Sequence, residues 1–102
     1  MLVILKSCEE MKELLYEAKE RAELGIEYKT EYPSLASTYI DLANSNLMLV
    51  EKLHSAVVDI IEKIKGKNDV SQSMIELWKY EHKIYVDMYE KAKSKSAMYS
   101  KM

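Results

Sequence analysis

The chain has 102 residues, a length that fits one domain. Its 15 Lys and Arg residues against 17 Asp and Glu residues give a formal net charge of −2, so no overall field selects nucleic acid or an anionic membrane. The single cysteine, Cys8, excludes an internal disulfide and a zinc site built from cysteines. With one Pro and two Gly, the composition favours helix over sheet, and we predict an all-α protein with a single helical domain over residues 1–102.

Apolar runs in the chain are short. The opening Met1 to Leu5 is too brief for a signal-peptide core and is followed by Lys6 and acidic residues. No later run approaches the length of a membrane span. We therefore expect a cytoplasmic protein without a membrane partner.

A first helix is predicted over about residues 8–30. Ser7 and Glu10 have the spacing of a capping box, in which each side chain satisfies a free backbone N–H group. The apolar face of this helix consists of Met11, Leu15, Ala18, Ala22 and Gly25. Because the last three are small, a neighbouring backbone can approach closely. Such packing would compensate for Gly25, which costs about 1 kcal/mol in a helix interior.

A second helix is predicted over about residues 33–65. Pro33 suits the first turn of a helix and pushes the preceding Tyr32 out of helical geometry, so the connection should be tight. Apolar positions cover more than half of the helix circumference, which requires neighbours on two sides. Two polar residues, Asn46 and His54, point into this apolar arc, and Glu51 lies on its border.

A third helix is predicted over about residues 70–99. A glycine stop at 65–68 and a second capping box at 69–72 precede it. Its apolar face includes Trp78, Tyr85 and Met88, with Glu81 in the centre and His82 on the edge. We expect residues 94–102 to fray. The lysines of the tail, Lys91, Lys93, Lys95 and Lys101, do not favour nucleic acid because arginines and stacking aromatics are not clustered with them.

Short turns predict three antiparallel helices, in which residues equidistant from a turn share a level. One level would gather the following candidate metal ligands: Glu10, Glu51, His54, Glu81 and His82. Helical bundles bind iron or manganese with such residues, usually through two Glu-x-x-His turns, but only Glu51 and His54 have that spacing here. A complete site would need two copies of the chain meeting across a two-fold axis.

A structural interpretation competes with the metal site. His54 and Glu81 would form a buried hydrogen-bonded pair that fixes the register of the helices. We favour this interpretation because Asn46 is a neutral amide where a metal site would need a carboxylate. One inward Asn can also fix register or the number of partners.

A family resemblance covers most of the chain from about Ala18 to Tyr89. The residues that carry it are Ala22 to Lys29, Pro33, Leu35, Ala36, Leu53, His54, Val57, Val58, Met74, Trp78, Tyr80 and His82. This pattern resembles small ferritin-like helical proteins encoded by bacterial phages and prophages. The resemblance implies a helical bundle that can hold a carboxylate-histidine metal centre, with His54 and His82 as the carried-over positions. Such sequences usually carry acids and a further His in mid-helix, where this chain has Asn44, Ser45, Asn46 and Leu49.

These observations predict a non-enzymatic protein of phage or prophage type in a bacterial cytoplasm. It would act through self-association, as a dimer in the first instance, or through a protein partner, because the wide apolar arc of the second helix exceeds what two neighbours cover. The alternative is a ferritin-like protein that binds iron or manganese. The sequence contains neither a Gly-rich phosphate loop nor a nucleophile elbow, so no motif in it indicates a hydrolase or a nucleotide-dependent enzyme.

Overall fold

Three helices make up the computed structural model, which describes residues 2–64 and 72–102. They are α1 (Leu2–Tyr28), α2 (Pro33–Ile64) and α3 (Gln72–Lys101), and no strand occurs in the described ranges. The structure therefore confirms the all-α prediction. The molecule is a rod of 58 × 17 × 17 Å. Helix α1 packs against both of the others, whereas α2 and α3 contact each other least.

The first helix begins at Leu2 rather than near residue 8. Ser7 consequently lies inside α1 and is not its N-cap. Buried Ile4 and Cys8 continue the apolar face of α1 towards its start. Burial of that face stabilises helical turns ahead of the capping box, since packing rather than local sequence supplies most of a helix's stability in proteins.

The connection between α1 and α2 is tight, and Pro33 occupies the first position of α2. The Tyr32 N–H donates a hydrogen bond to the Tyr28 carbonyl at 2.8 Å, and the Ala36 N–H donates to the Tyr32 carbonyl at 2.9 Å. Proline suits this position because it has no N–H group to leave unsatisfied. The predicted glycine stop at 65–68 and the capping box at 69–72 depend on residues outside the described ranges.

Helix α3 continues to Lys101, so residues 94–101 are helical. Lys29, in the turn that follows α1, holds this end in place. Its Nζ donates hydrogen bonds to the carbonyl oxygens of Tyr99 at 2.6 Å and Met102 at 3.1 Å, and lies 4.4 Å from the centre of the Tyr99 ring. A cation at this position satisfies terminal carbonyls and complements the negative end of the helix dipole.

The core runs along all three helices. All five predicted inward residues of α1 are buried, including Gly25. The largest fully buried side chains are Met11, Leu15, Val50 and Val57. Within the described ranges, none of the helices combines the length and the apolar character that crossing a membrane requires.

Candidate functional site

The His54 ring lies in a cluster of aromatic side chains between α2 and α3. It stacks on Tyr85, with ring centroids 4.3 Å apart and planes 7° from parallel. The rings of His82 and Trp78 follow, with centroids 5.2 Å and 5.8 Å from that of His54. Burial of the ring, together with the nearby charge of His82, lowers the pKa of His54. The environment therefore favours the neutral imidazole.

Glu81 has its charged partner on α1. Lys12 Nζ lies 3.0 Å from Glu81 Oε2, and only 13% of the Glu81 side chain is exposed. The close contact with the Glu81 carboxylate raises the pKa of Lys12. Burial, followed by the charge of Glu81, also raises the pKa of the Cys8 thiol, which disfavours a reactive thiolate.

His54 and Glu81, predicted as partners, thus have separate environments. Among the described residues, His54 Nε2 and Glu81 Oε2 are both buried without a hydrogen-bond partner. Glu81 Oε2 forms its ion pair with Lys12 of α1 rather than with His54. The His54 ring is held by stacking instead.

Glu51 contacts the aromatic cluster from its edge. The Tyr89 hydroxyl donates a hydrogen bond to Glu51 Oε1, and the centroids of the Tyr85 and Tyr89 rings lie 5.7 Å apart. This hydrogen bond, with burial as the next cause, raises the pKa of Tyr89 to about 12. The Glu51 carboxylate therefore serves as a hydrogen-bond acceptor between α2 and α3.

Three of the five predicted metal ligands have surroundings other than the two histidines. Glu51 accepts the hydrogen bond from Tyr89, Glu81 pairs with Lys12, and Glu10 lines a groove between α1 and α2. The structure brings the remaining two, His54 and His82, side by side. Within residues 2–64 and 72–102, no three His, Cys, Asp or Glu side chains gather as the ligands of one metal ion would.

Asn46 is buried and makes hydrogen bonds to α1 through its amide. Its Oδ1 accepts from Arg21 Nη1 at 3.0 Å, and its Nδ2 donates to the Leu14 carbonyl at 3.1 Å and to Glu17 Oε2 at 3.3 Å. A buried amide with both ends satisfied costs little and selects one register of the two helices. This inward polar residue consequently links α2 to α1.

Asn44 makes a corresponding link to α3 that the sequence analysis missed. The Ser96 hydroxyl donates to Asn44 Oδ1 at 2.7 Å, and Ser96 is buried. The available signal was the small pair Ala92 and Ser96, four residues apart and therefore on one face of α3. The two asparagines of this stretch thus hold α2 to both of its neighbours.

Two series of mainly apolar residues run along α2, each with spacings that alternate between four and three residues. The first faces the chain's own core and consists of Ala36, Ile40, Ala43, Leu47, Val50, His54, Val57 and Ile61. The second, which we call the open seam, consists of Leu35, Tyr39, Leu42, Asn46, Leu49, Leu53, Ala56 and Ile60. Each of its members directly precedes a member of the first series, so the open seam lies about 100° away around the helix.

The described chain covers the open seam only in part: Asn46 is buried against α1, and Leu53 and Ile60 are partly buried against the core, whereas three leucines are exposed. Leu35, Leu42 and Leu49 are 44%, 41% and 47% exposed. Helix α3 contacts α2 through Asn44 and Glu51, which lie on the opposite side of the buried series. This spacing of apolar residues is typical of a helix that packs against another helix along its length.

Helix α1 supplies the other wall of a groove along the open seam. The residues that line this groove are Glu10, Glu13, Leu14, Glu17, Leu49 and Leu53. The α1 wall is therefore mainly acidic, whereas the α2 wall is apolar. A pair of packed helices has two grooves, and α3 fills the one on the other side of α1 and α2.

Neither a protein-family model, nor a curated protein, nor a solved structure matches the chain. The resemblance to phage ferritin-like proteins stays a prediction.

Proposed function

We propose that this protein is a non-enzymatic helical bundle that acts by self-association, with a second copy of the chain packed on the open seam. The observation that carries the proposal is the seam itself, a run of mainly apolar residues with the spacing of a helix-packing face and with three half-exposed leucines. Contiguous apolar surface of this kind marks interaction sites in proteins that fold as monomers.

The antiparallel arrangement of the helices is part of the proposal, and several contacts support it. Across α1 and α2, Asn46 bonds to Leu14, while Gly25, further along α1, lies against Ile40, earlier in α2. Across α2 and α3, Ser96 pairs with Asn44, while the earlier Tyr85 stacks on the later His54. The ferritin-like scaffold and the phage or prophage setting also belong to the proposal, and the family resemblance supports them.

Structural roles for the inward polar residues support a non-enzymatic function. Asn46 links α1 to α2, Glu81 pairs with Lys12, and Glu51 bonds to Tyr89. Each of these groups is engaged by another residue of the chain. Catalytic acids and bases instead need a geometry in which substrate can reach them.

The test compares the molar mass in solution of the wild-type chain with that of Leu42→Glu and Leu49→Glu, by light scattering over a range of concentrations. A charge in the seam should weaken association about tenfold or more, because it would be buried without a partner in the interface. Val86→Glu is the matched control, since Val86 on α3 is 42% exposed and lies outside the seam. It should associate as the wild type does.

Two results would overturn the proposal. One is a wild-type chain that stays monomeric at the highest soluble concentration. The other is an assembly that Val86→Glu weakens and the two seam variants leave intact. Circular dichroism of each variant checks that the helices have formed.

A second candidate function is metal binding at the two histidines. It has one observation in its favour, the buried His54 Nε2 without a hydrogen-bond partner, beside the ring of His82. Elemental analysis of protein purified without chelator, repeated on His54→Ala, tests it. Stoichiometric iron or manganese that is lost in the variant would establish this candidate and refute a purely structural role for His54.

A further inference from the structure

Helix α3 contributes little to the fully buried core. Among the described residues, every buried apolar side chain except that of Ala92 belongs to α1 or α2. The large apolar side chains with which α3 packs against this core are only partly buried, namely Trp78, Tyr85, Met88, Tyr89 and Tyr99. The free energy gained by packing grows with the apolar area removed from water. Apolar burial therefore holds α3 less firmly than it holds α1 and α2 together.

Polar contacts attach α3 to its neighbours at several levels. These contacts join Glu81 to Lys12, Tyr89 to Glu51, Ser96 to Asn44, and the Tyr99 carbonyl to Lys29. Several of the partners reach solvent: Glu51 and Asn44 are exposed, as is 35% of the Lys12 side chain. Water can replace a lost partner at such positions, so each contact contributes little net free energy.

Helices α1 and α2 interlock more closely. Gly25 lets the side chain of Ile40 approach so near that a Cβ atom on the glycine would lie 2.7 Å from Ile40 Cγ1. The buried Asn46 amide bonds to Arg21 and to the Leu14 carbonyl, both on α1. Among the described residues, α3 also has less contact with the rest of the fold than α1 or α2 has. Separating α1 from α2 therefore breaks more of the fold than releasing α3 does.

We infer that α3 opens away from α1 and α2 as a unit, while α1 and α2 stay packed on each other. Proteins open locally in cooperative units, and those with the fewest buried apolar contacts open most readily. The open state uncovers the groove of α1 and α2 that α3 fills, so α3 is a releasable arm on a more stable pair of helices. This inference goes beyond the proposed self-association and does not rest on it, because α3 contacts α2 on the side away from the open seam.

Hydrogen exchange of the wild-type protein, followed by mass spectrometry, tests the inference. After correction for intrinsic rates, the slowest amides of α3 should exchange about tenfold faster, or more, than the slowest amides of α1 and α2. Exchange in α3 should also respond less steeply to low concentrations of denaturant, because its opening exposes less surface than unfolding of the whole chain. The same pattern is expected in a monomeric chain, so loss of the proposed function would leave this test intact.

A variant of the contact between α1 and α2 sharpens the test. The hydrogen bonds of Asn46 go to α1, and the opening of α3 leaves them in place. At low protein concentration, Asn46→Ala should therefore speed exchange in α1 and α2 about tenfold and leave α3 unchanged. Ser45→Ala is the matched control, since Ser45 is exposed on the same helix, and it should exchange as the wild type does.

Two results would overturn the inference. One is equal protection and equal denaturant dependence in all three helices of the wild-type protein, which would mean that the chain opens only as a whole. The other is an Asn46→Ala variant in which α3 exchanges faster by the same factor as α1 and α2.

Discussion

Lys12 of α1 and Glu81 of α3 form an ion pair, with 3.0 Å between Nζ and Oε2. Glu81 occupies the centre of the apolar face of α3, where a carboxylate without a partner would be costly. The Lys12 ammonium reaches it along its aliphatic chain while 35% of the lysine side chain stays exposed. The pair therefore explains how a charged residue is accommodated in that face.

Replacing Lys12 with Met should destabilise the fold because the Glu81 carboxylate would remain buried without its charged partner. We expect a loss of about 1–2 kcal/mol in the free energy of unfolding, at the lower end for buried pairs since Lys12 is partly exposed. Adding Glu81→Leu should recover most of this loss. Chemical denaturation of the single and double variants measures both effects, and a double variant less stable than Lys12→Met would contradict the assignment.

Stability should also depend on the titration of His54. The folded protein lowers the pKa of His54, chiefly by burying the ring, so the unfolded chain takes up the proton at a higher pH than the folded one. Acidification below about pH 6.5, the ordinary histidine value, should therefore favour unfolding through this group.

Thermal unfolding as a function of pH tests this coupling. His54→Phe keeps a ring to stack on Tyr85 and removes the titrating group, so its melting temperature should fall less on acidification than that of the wild type. Carboxylates titrate in both proteins, so the difference between the two profiles isolates His54. Superimposable profiles would show that His54 is not coupled to folding.

The sequence predicts the height of these groups along the bundle better than it predicts which residues they contact. It placed His54, Glu81 and the region of Glu10 and Met11 at one height, and Lys12 is adjacent to that pair in the chain. Distance from a turn sets the height of a residue along a bundle, but not its direction around the helix axis. Which of several neighbours meets Glu81 is decided by that direction, which only the packed structure supplies.

The start of α1 also depends on packing that the local sequence does not show. The inward positions of α1 followed from periodicity alone, whereas the start of the helix did not, because burial of Ile4 and Cys8 outweighs the local signal at Ser7. The open seam could have been read from the sequence. Each of its members directly precedes a member of the buried series in the sequence. When apolar positions are only counted around the helix wheel, however, the two series merge into one wide arc.

Gly25 is required by the close approach of α1 and α2. A Cβ atom at this position would lie 2.7 Å from Ile40 Cγ1, 2.8 Å from Ile40 Cδ1 and 3.1 Å from the Ala36 carbonyl oxygen. Gly25→Ala gains about 1 kcal/mol of helix propensity, but overpacking costs about 1–3 kcal/mol. We expect a net loss near 1 kcal/mol, measured by chemical denaturation.

Two further variants test whether contact with Ile40 causes the loss of stability in Gly25→Ala. Glu23→Ala changes an exposed residue of the same helix and should leave stability nearly unchanged. Ile40→Val removes Cδ1, one of the two clashing atoms, so the change in free energy for Gly25→Ala with Ile40→Val should be smaller than the sum of the single changes. Strict additivity would mean that Ile40 is not the source of the strain.

The central claim is that the open seam of α2 is covered by a second copy of the chain. Sedimentation equilibrium of the wild-type protein tests it most directly, since it measures mass without reference to shape. We predict a mass that rises with concentration towards twice the 11.9 kDa of the single chain. A mass that stays at 11.9 kDa up to the highest soluble concentration would contradict the claim.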